Sequence, residues 1–456
     1  MAHEPQAIAF RPECTILELG EPFYDPVDAA AFPDHRLRFR NNRAAGEVGL
    51  ADLSDAAWIA HFGRFEPLRG SLPEPLALRY HGHQFRVYNP EIGDGRGFLF
   101  AQMRDDADRL MDLGTKGSEQ TPWSRFGDGR LTLKGGVREV LATEMLEALG
   151  VETSRSFSLI ETGEQLQRGD EPSPTRSAVL VRLSHSHIRI GAFQRLAYNQ
   201  DADAMTQLVT YVLRHLYGEE AGGEGAVRLL DRVVAATARL AASYMTAGFV
   251  HGVLNSDNIN VTGESFDYGP WRWAPSWDPG FTAAYFDHAG LYAFARQPEA
   301  IHWDAMQLAV SLRLLAEAEP MIEVLDSFPD RFQAALAEGM VWRLGLLPGN
   351  EDRATARAVE QALSTTGVSI DRFFFDAFGG DLPTSYEDGA WAEVRRRLAD
   401  ARPRKSRDHG YWRDPEPCSM LIDEVEAIWA PIADSDDWSR FDAKVAACRR
   451  LGEALA

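Results

Sequence analysis

The sequence predicts an α+β protein of two lobes: a strand-rich N-terminal lobe with one key helix, followed by a mainly helical C-terminal lobe. Three observations carry this. Strand-like runs separated by turns begin near residue 76, and helical periodicity takes over from about residue 200. The order is neither alternating β-α-β nor an all-strand pattern. The chain has 456 residues, more than one core of roughly 100–200 residues holds.

The elements follow in order. Residues 1–75 mix short apolar runs with Pro, Asp and Asn, and read as an irregular N-terminal extension with a few short elements. Residues 98–103 (FLFAQM) form a strand candidate after the tight turn Gly93-Asp94-Gly95-Arg96-Gly97, and residues 110–115 form the next. Val137, Val140, Leu141, Met145, Leu146 and Leu149 recur at helical spacing before Gly150, so residues 136–149 are expected to be an amphipathic helix. Residues 178–183 read as a further strand. Val227, Leu230, Val233, Val234, Leu240, Ala241 and Tyr244 form an apolar stripe in which Thr237 is the one polar member, and that helix is expected to stop near Gly248. Residues 300–345 are helix-like again. Beyond about 390 come a basic run over 395–407, which reads as a solvated helix face, a Pro-rich turn and one or two helices. This divides the chain into an N-terminal extension (1–75), a strand-rich lobe (76–198), a helical lobe (199–390) and a C-terminal extension (391–456).

Composition narrows the function. Hydrophobic residues make up 45% and charged residues 25%, an ordinary globular balance. The net charge of −21 repels a phosphate backbone, so no nucleic-acid partner is expected. Cys14, Cys418 and Cys448 are far apart and have no zinc-ligand spacing, which fits a reduced, cytoplasmic protein. Residues 1–20 lack a basic segment followed by an apolar run, so no signal peptide is expected, and no run of eighteen apolar residues suggests a membrane span.

The strongest chemical signal is His251-Gly252-Val253-Leu254-Asn255-Ser256-Asp257-Asn258, followed by Asp267-Tyr268-Gly269. Kinase-like phosphotransferases carry a His-x-Asp-x-x-x-x-Asn loop and a downstream Asp-Phe-Gly turn, in which the Asn and the second Asp hold magnesium on nucleotide phosphates. Here the place of the catalytic Asp is taken by Val253, which accepts no proton, and a carboxylate stands instead at Asp257. Lys116 and Glu139 have the order of the strand lysine and helix glutamate of such a fold. The turns around Gly93 and Gly95, and Gly127-Asp128-Gly129-Arg130, allow backbone to approach phosphate, though each alone is also a hairpin turn. Arg182 and Arg189 can hold phosphate bidentately. His185 and His187, with no nearby ligand partner, read as ordinary hydrogen-bonding histidines. The overall expectation is a protein-kinase-like two-lobed fold.

In these stretches the chain resembles the selenoprotein O (YdiU) family of pseudokinase protein adenylyltransferases. Tyr80-His81-Gly82-His83-Gln84-Phe85, the glycine turn at 93–97, Lys116-Gly117 and residues 121–130 (TPWSRFGDGR) carry the match. So do Arg138-Glu139, residues 186–191 (SHIRIG), residues 248–253 (GFVHGV), Asp257-Asn258, Asp267-Tyr268-Gly269-Pro270 and Phe286-Asp287-His288. The resemblance implies ATP bound in a flipped orientation, its α-phosphate presented to a Ser, Thr or Tyr hydroxyl of a protein substrate. It implies Lys116 on the phosphates, paired with Glu139. Gly93, Gly95, Arg96, Asp128, Gly129, Arg182 and Arg189 would line the nucleotide site, Asn258 and Asp267 would hold Mg²⁺ or Mn²⁺, and Asp257 would be the general base. Uridylyl transfer is the related activity. The sequence departs from the family at Ala283, where members often carry a cysteine, at Arg86 and Glu119-Gln120, and over residues 400–456. Ordinary phosphoryl transfer and a non-catalytic ATP-binding scaffold are the competing readings.

Overall fold

Apolar alternation builds a strand-rich half with two buried faces. The computed structural model describes residues 8–169, 171–387 and 389–456. Residues 1–7, the head of the expected N-terminal extension and of the stretch read for a signal peptide, lie outside the described residues. The strands are β1 (Arg11–Glu13), β2 (Tyr24–Pro26), β3 (Arg36–Arg40), β4 (Leu76–Leu78), β5 (Gly82–Gln84), β6 (Val87–Asn89), β7 (Leu99–Arg104), β8 (Leu110–Lys116), β9 (Leu131–Thr132), β10 (Arg155–Leu166), β11 (Thr175–Ser184), β12 (Phe249–Val250) and β13 (Arg272–Trp273). One antiparallel sheet runs β2-β4-β7-β8-β11-β10-β3, with β1 added on β7 and β9 on β11. β5–β6 and β12–β13 are separate hairpin-like pairs.

The first 75 residues do hold short elements, but three of them are strands of the main sheet: β1 pairs β7, β2 pairs β4, and β3 pairs β10. Their short lengths and mixed polarity hid a pairing that only the long strands' edges explain. Helices α1 (Asn42–Glu47) and α2 (Asp55–Phe62) follow, and Trp58 and Phe62 seal one sheet face against Phe98, Phe100, Phe157, Val179, Val181 and Leu183. Ala178 and Leu180 point to the other face, covered by α3 (Leu133–Ala148). The period of two puts Arg182 on that same face. In register, Leu180 opposes Lys116 and Arg182 opposes Gly114, so Lys116 and Arg182 are diagonal neighbours beside α3. α3 begins three residues earlier than its periodicity suggests because the Thr132 hydroxyl caps it, accepting from the Gly135 N–H at 3.1 Å.

The remaining helices are α4 (Ile190–Tyr198), α5 (Ala202–Tyr217), α6 (Gly225–Ala247), α7 (Gln297–Leu312), α8 (Ala318–Asp326), α9 (Phe328–Arg343), α10 (Asp352–Thr366), α11 (Ile370–Ala377), α12 (Ala392–Ala399), α13 (Ile422–Ser435) and α14 (Ser439–Leu455). α6 is the hub, packing on α5, α7, α8 and α9. Its apolar stripe is buried except for half-exposed Val227, and Thr237 satisfies its hydroxyl by donating to the Val233 carbonyl at 2.7 Å. The C-terminal α14 lies back on α3. There Cys418 and Cys448, thirty residues apart, come close enough to push the Cys418 thiol pKa down and the Cys448 thiol pKa up, a proximity the sequence did not reveal; all three cysteines are free. No helix among the described residues is long and apolar enough to cross a membrane.

α6 ends at Gly248, whose φ of +73° is a left-handed cap and delivers the chain into β12. A Cβ there would lie 3.0 Å from Ile370 Cδ1. Gly248→Ala should cost about 1–2 kcal/mol, read as a lowered midpoint in thermal unfolding; an unchanged midpoint would mean that the left-handed cap is not a constraint.

Candidate active site

β12 and β13 pair, and their pairing closes the loop of residues 251–271 onto the sheet. Inside that loop His251 is wholly buried, its Nε2 3.0 Å from the Phe266 carbonyl and its backbone N–H donating to Gln297 Oε1 at 3.0 Å. Burial lowers its pKa. It therefore staples the loop and faces no solvent. The short turn Ser256–Asn258 is held from the other side: Ser256 Oγ donates to Gln194 Oε1 at 2.7 Å and accepts from the His83 N–H at 2.7 Å.

This loop, the sheet and the two glycine turns enclose a cleft of about 800 Å³. Gly93, Gly95, Arg96, Lys116, Asp128, Gly129, Arg182, Arg189, Asp257, Asn258 and Asp267 all line it. Glu139 stands directly behind Lys116, its Oε2 2.5 Å from Nζ, and both are buried. Sequence positions up to 174 residues apart are thus brought into one pocket. Seven cationic side chains and four carboxylates line it, in a chain whose net charge is −21. A basic cleft in an acidic protein concentrates a polyanion there.

The floor is a buried ion cluster. Arg182 Nη1 lies 2.5 Å from Asp267 Oδ1, Arg189 bonds Asp267 Oδ2, and Lys116 Nζ lies 3.9 Å from Asp267. Burial alone would raise the Asp267 pKa, yet Arg182, Arg189 and Lys116 hold it well below the ordinary carboxylate range. Burial lowers the Lys116 pKa, and the Glu139 charge opposes that. Arg189 is further sandwiched between the rings of Tyr80 (4.5 Å) and Phe266 (4.7 Å). Asp267 itself has a φ of +61°, an uncommon backbone state held by these ion pairs.

Asp257 is different. It is 8% exposed, its Oδ1 has no hydrogen-bond partner, and burial pushes its pKa up to about 6, with the Arg189 charge opposing. It is a carboxyl poised near neutrality with a free oxygen at the cleft wall. Val253 lines the same cleft without any proton acceptor. Asn258 commits Nδ2 to the Val253 carbonyl at 2.9 Å, which turns its amide oxygen to other partners. Asn258 and Asp267 offer hard oxygen donors that suit Mg²⁺ or Mn²⁺. Among the described residues no three His, Cys, Asp or Glu side chains gather as a metal cage, and an ion carried on nucleotide phosphates needs only one or two protein ligands.

Three contributors escaped the sequence reading. Asp94, inside the first glycine turn, is partly buried and lies 3.2 Å from Arg189. Arg168 grips Asp128 with both terminal nitrogens, at 2.7 and 3.1 Å. Gln84 of β5 lines the cleft beside Asp257 and helps lower its pKa against burial. Asp94 and Gln84 stand inside stretches that carry the family resemblance and Arg168 outside them, but the role of each shows only from its partner. The glycine turns also have packing reasons: a Cβ on Gly93 would meet Trp123 Cγ at 2.6 Å, and one on Gly129 the Glu119 carbonyl oxygen at 2.3 Å. His187 lies 3.6 Å from Asp112 beneath the sheet, and neither it nor His185 lines the cleft.

A cleft that can seat a polyphosphate beside a carboxyl able to take a proton is the equipment of a nucleotide-dependent transferase. The chain belongs to the family described as protein adenylyltransferase SelO, whose model matches residues 6–449. It is 42% identical over 97% of its length to the protein nucleotidyltransferase YdiU of Synechococcus elongatus, covering 96% of that protein. The YdiU proteins of Synechocystis sp. and Gloeobacter violaceus are 40% and 44% identical; each match takes in 94% of this chain, and 96% and 93% of the relative. The chain is a nucleotidyltransferase on these grounds.

Two outcomes test the geometry. Glu139→Gln, which leaves the buried lysine without its counter-charge, should weaken nucleotide binding at least about tenfold by calorimetry, as expected for loss of a charged hydrogen bond; unchanged affinity would detach the pair from nucleotide binding. A base must be unprotonated, so kcat/KM should rise as pH climbs through about 6 and then level. Asp257→Asn should remove that limb along with the activity.

Proposed function

We propose that this protein transfers AMP from ATP to Ser, Thr or Tyr hydroxyls of proteins and releases pyrophosphate. The observation that carries the reading is the exchange of places around the loop: the kinase acid's position is the inert Val253, while Asp257 presents an unpartnered carboxylate oxygen to the same cleft. In the proposed step the acceptor oxygen attacks the α-phosphorus, its proton passes to Asp257, and the bond from the α-phosphorus to the bridging oxygen breaks. The α-phosphate must then lie nearest Asp257, which calls for a nucleotide turned around relative to a kinase.

On this reading Lys116, positioned by Glu139, and Arg96, Arg182 and Arg189 neutralise the phosphates. Gly93, Gly95, Asp128 and Gly129 form the cleft walls around them. Asn258 and Asp267 would hold Mg²⁺ or Mn²⁺, which when bound supplies charge neutralisation on the phosphoryl oxygens. The sheet half with α3 and the helical half around α6 are read as the two lobes of a kinase-like fold, divided as 76–198 and 199–390 between terminal extensions 1–75 and 391–456. Three free cysteines support a cytoplasmic setting.

The test uses ATP labelled at either the α- or the γ-phosphate, with Mg²⁺ or Mn²⁺ and a panel of protein acceptors. Label from the α position alone is expected, with loss of transfer but near-normal ATP affinity in Asp257→Asn. Label from the γ position alone would make the protein a kinase, and equal binding without transfer to any acceptor would favour a scaffold.

A further inference from the structure

The cleft mouth on the Asp257 side carries an apolar patch that none of the described residues covers. Val87, Tyr285 and Phe286 are 70%, 81% and 42% exposed. They belong to two segments that grip the loop of Asp257. The first is the tip of the β5–β6 hairpin. A Cβ on Gly82 would lie 2.8 Å from Asp257 Oδ1, so β5 runs against the carboxyl itself. The Phe85 N–H donates to Asn255 Oδ1 at 3.0 Å, and Asn255 lines the cleft. The second is the stretch 283–292. A Cβ on Gly252 would lie 3.0 Å from Ala283 Cβ, and the Tyr292 hydroxyl donates to the same Asn255 oxygen at 2.7 Å.

The two segments meet through their rings. Phe286 stands edge-on to Phe85 with centroids 5.8 Å apart, and Tyr285 edge-on to Phe286 at 5.1 Å. The patch is therefore held in place from beneath by Asn255. The nearby charges are tied to one another and not to the patch: Arg86 and Arg296 share the Glu299 carboxylate, at 3.0 and 3.2 Å. What remains outward is uncharged and aromatic, an arrangement that marks an interaction surface when it sits at the rim of a site.

We propose that this patch, formed by Val87, Tyr285 and Phe286, docks the acceptor: a protein segment bearing a large aliphatic or aromatic side chain a few residues from the modified hydroxyl. The inference rests on the AMP-transfer reading of the cleft. Continuity decides the occupant. An acceptor hydroxyl must reach Asp257, and the nucleotide fills the basic side of the cleft, so the acceptor chain crosses the rim where β5 and residues 283–286 flank the loop. Because the contact is apolar, it sets acceptor affinity and sequence preference, with little dependence on salt.

The experiment measures α-label transfer to synthetic peptides that contain one Ser and differ only in a neighbouring Leu, Phe, Gly or Asp. The wild-type enzyme should favour the Leu and Phe peptides by about tenfold in KM, the size expected for burying one large apolar side chain. The Tyr285→Ser/Phe286→Ser double variant should reduce that preference to within about twofold, leaving KM for ATP unchanged. Val87→Ser, a separate exposed position, should weaken it in the same direction, so a folding defect in one variant does not decide the matter. Transfer that keeps its preference in both variants, or shows none in the wild type, overturns the docking proposal alone. Absence of α-label on every peptide and protein acceptor overturns the AMP-transfer reading and the docking proposal with it. A wild-type dimer that Tyr285→Ser dissolves, with acceptor KM unmoved, would assign the patch to self-association and overturn the proposal.

Discussion

Asp267 sits at the cleft floor between two arginines and a lysine that are themselves buried, and the rest of the site is built around that arrangement. Lys116, Arg182 and Arg189 face Glu139, Asp267 and Asp94, three charges of each sign in a buried space. Each charge alone would be expensive to bury, and the cluster is tolerable only because it is complete; deleting one member of such a buried set costs about 3–5 kcal/mol. The members come from β8, α3, β11, the start of α4, the first glycine turn and the loop after β12. The cluster therefore joins the sheet half to the helical half and fixes the cleft between them. A polyphosphate entering that cleft competes with Asp267 for both arginines, so the site that is neutral at rest is ready to exchange one anion for another.

The two acids of the loop then divide the chemistry by environment. Asp267 is surrounded by cations and stays ionised, while Asp257 has burial against its charge, opposed chiefly by Arg189, whose guanidinium donates to the Asp257 backbone carbonyl at 2.9 Å. Environments that push two carboxyls apart mark different roles for them. Gln84 and the close passage of β5 at Gly82 hold Asp257 in place without occupying Oδ1.

Much of this was readable in the sequence for definite reasons. The long strands and α6 show because their apolar periods are strong, and Gly248 shows because only a left-handed cap ends such a stripe so abruptly. Lys116, Glu139, Asn258 and Asp267 show because their order matches a known spacing. The three N-terminal strands did not show: each has three to five residues, with no period to detect, and each exists only by pairing to an edge laid down later in the chain. The roles of Asp94, Arg168 and Gln84 were hidden for a related reason: Asp94 and Gln84 even lie within the resembling stretches, but what each does there depends on a partner and not on a pattern. The contact of Cys418 with Cys448 likewise depends on how the C-terminal segment folds back over α3.

The central claim is that the cleft presents the α-phosphorus, and not the γ-phosphorus, to Asp257. The most direct measurement is a crystal structure of the protein with Mg²⁺ and an ATP analogue whose bridge between the α- and β-phosphorus atoms cannot be cleaved. The account predicts the α-phosphorus nearest the Asp257 carboxylate and the γ-phosphate deep among Lys116, Arg182 and the glycine turns. A γ-phosphorus nearest Asp257 or Val253, with the α-phosphate buried away from the acceptor rim, would contradict it.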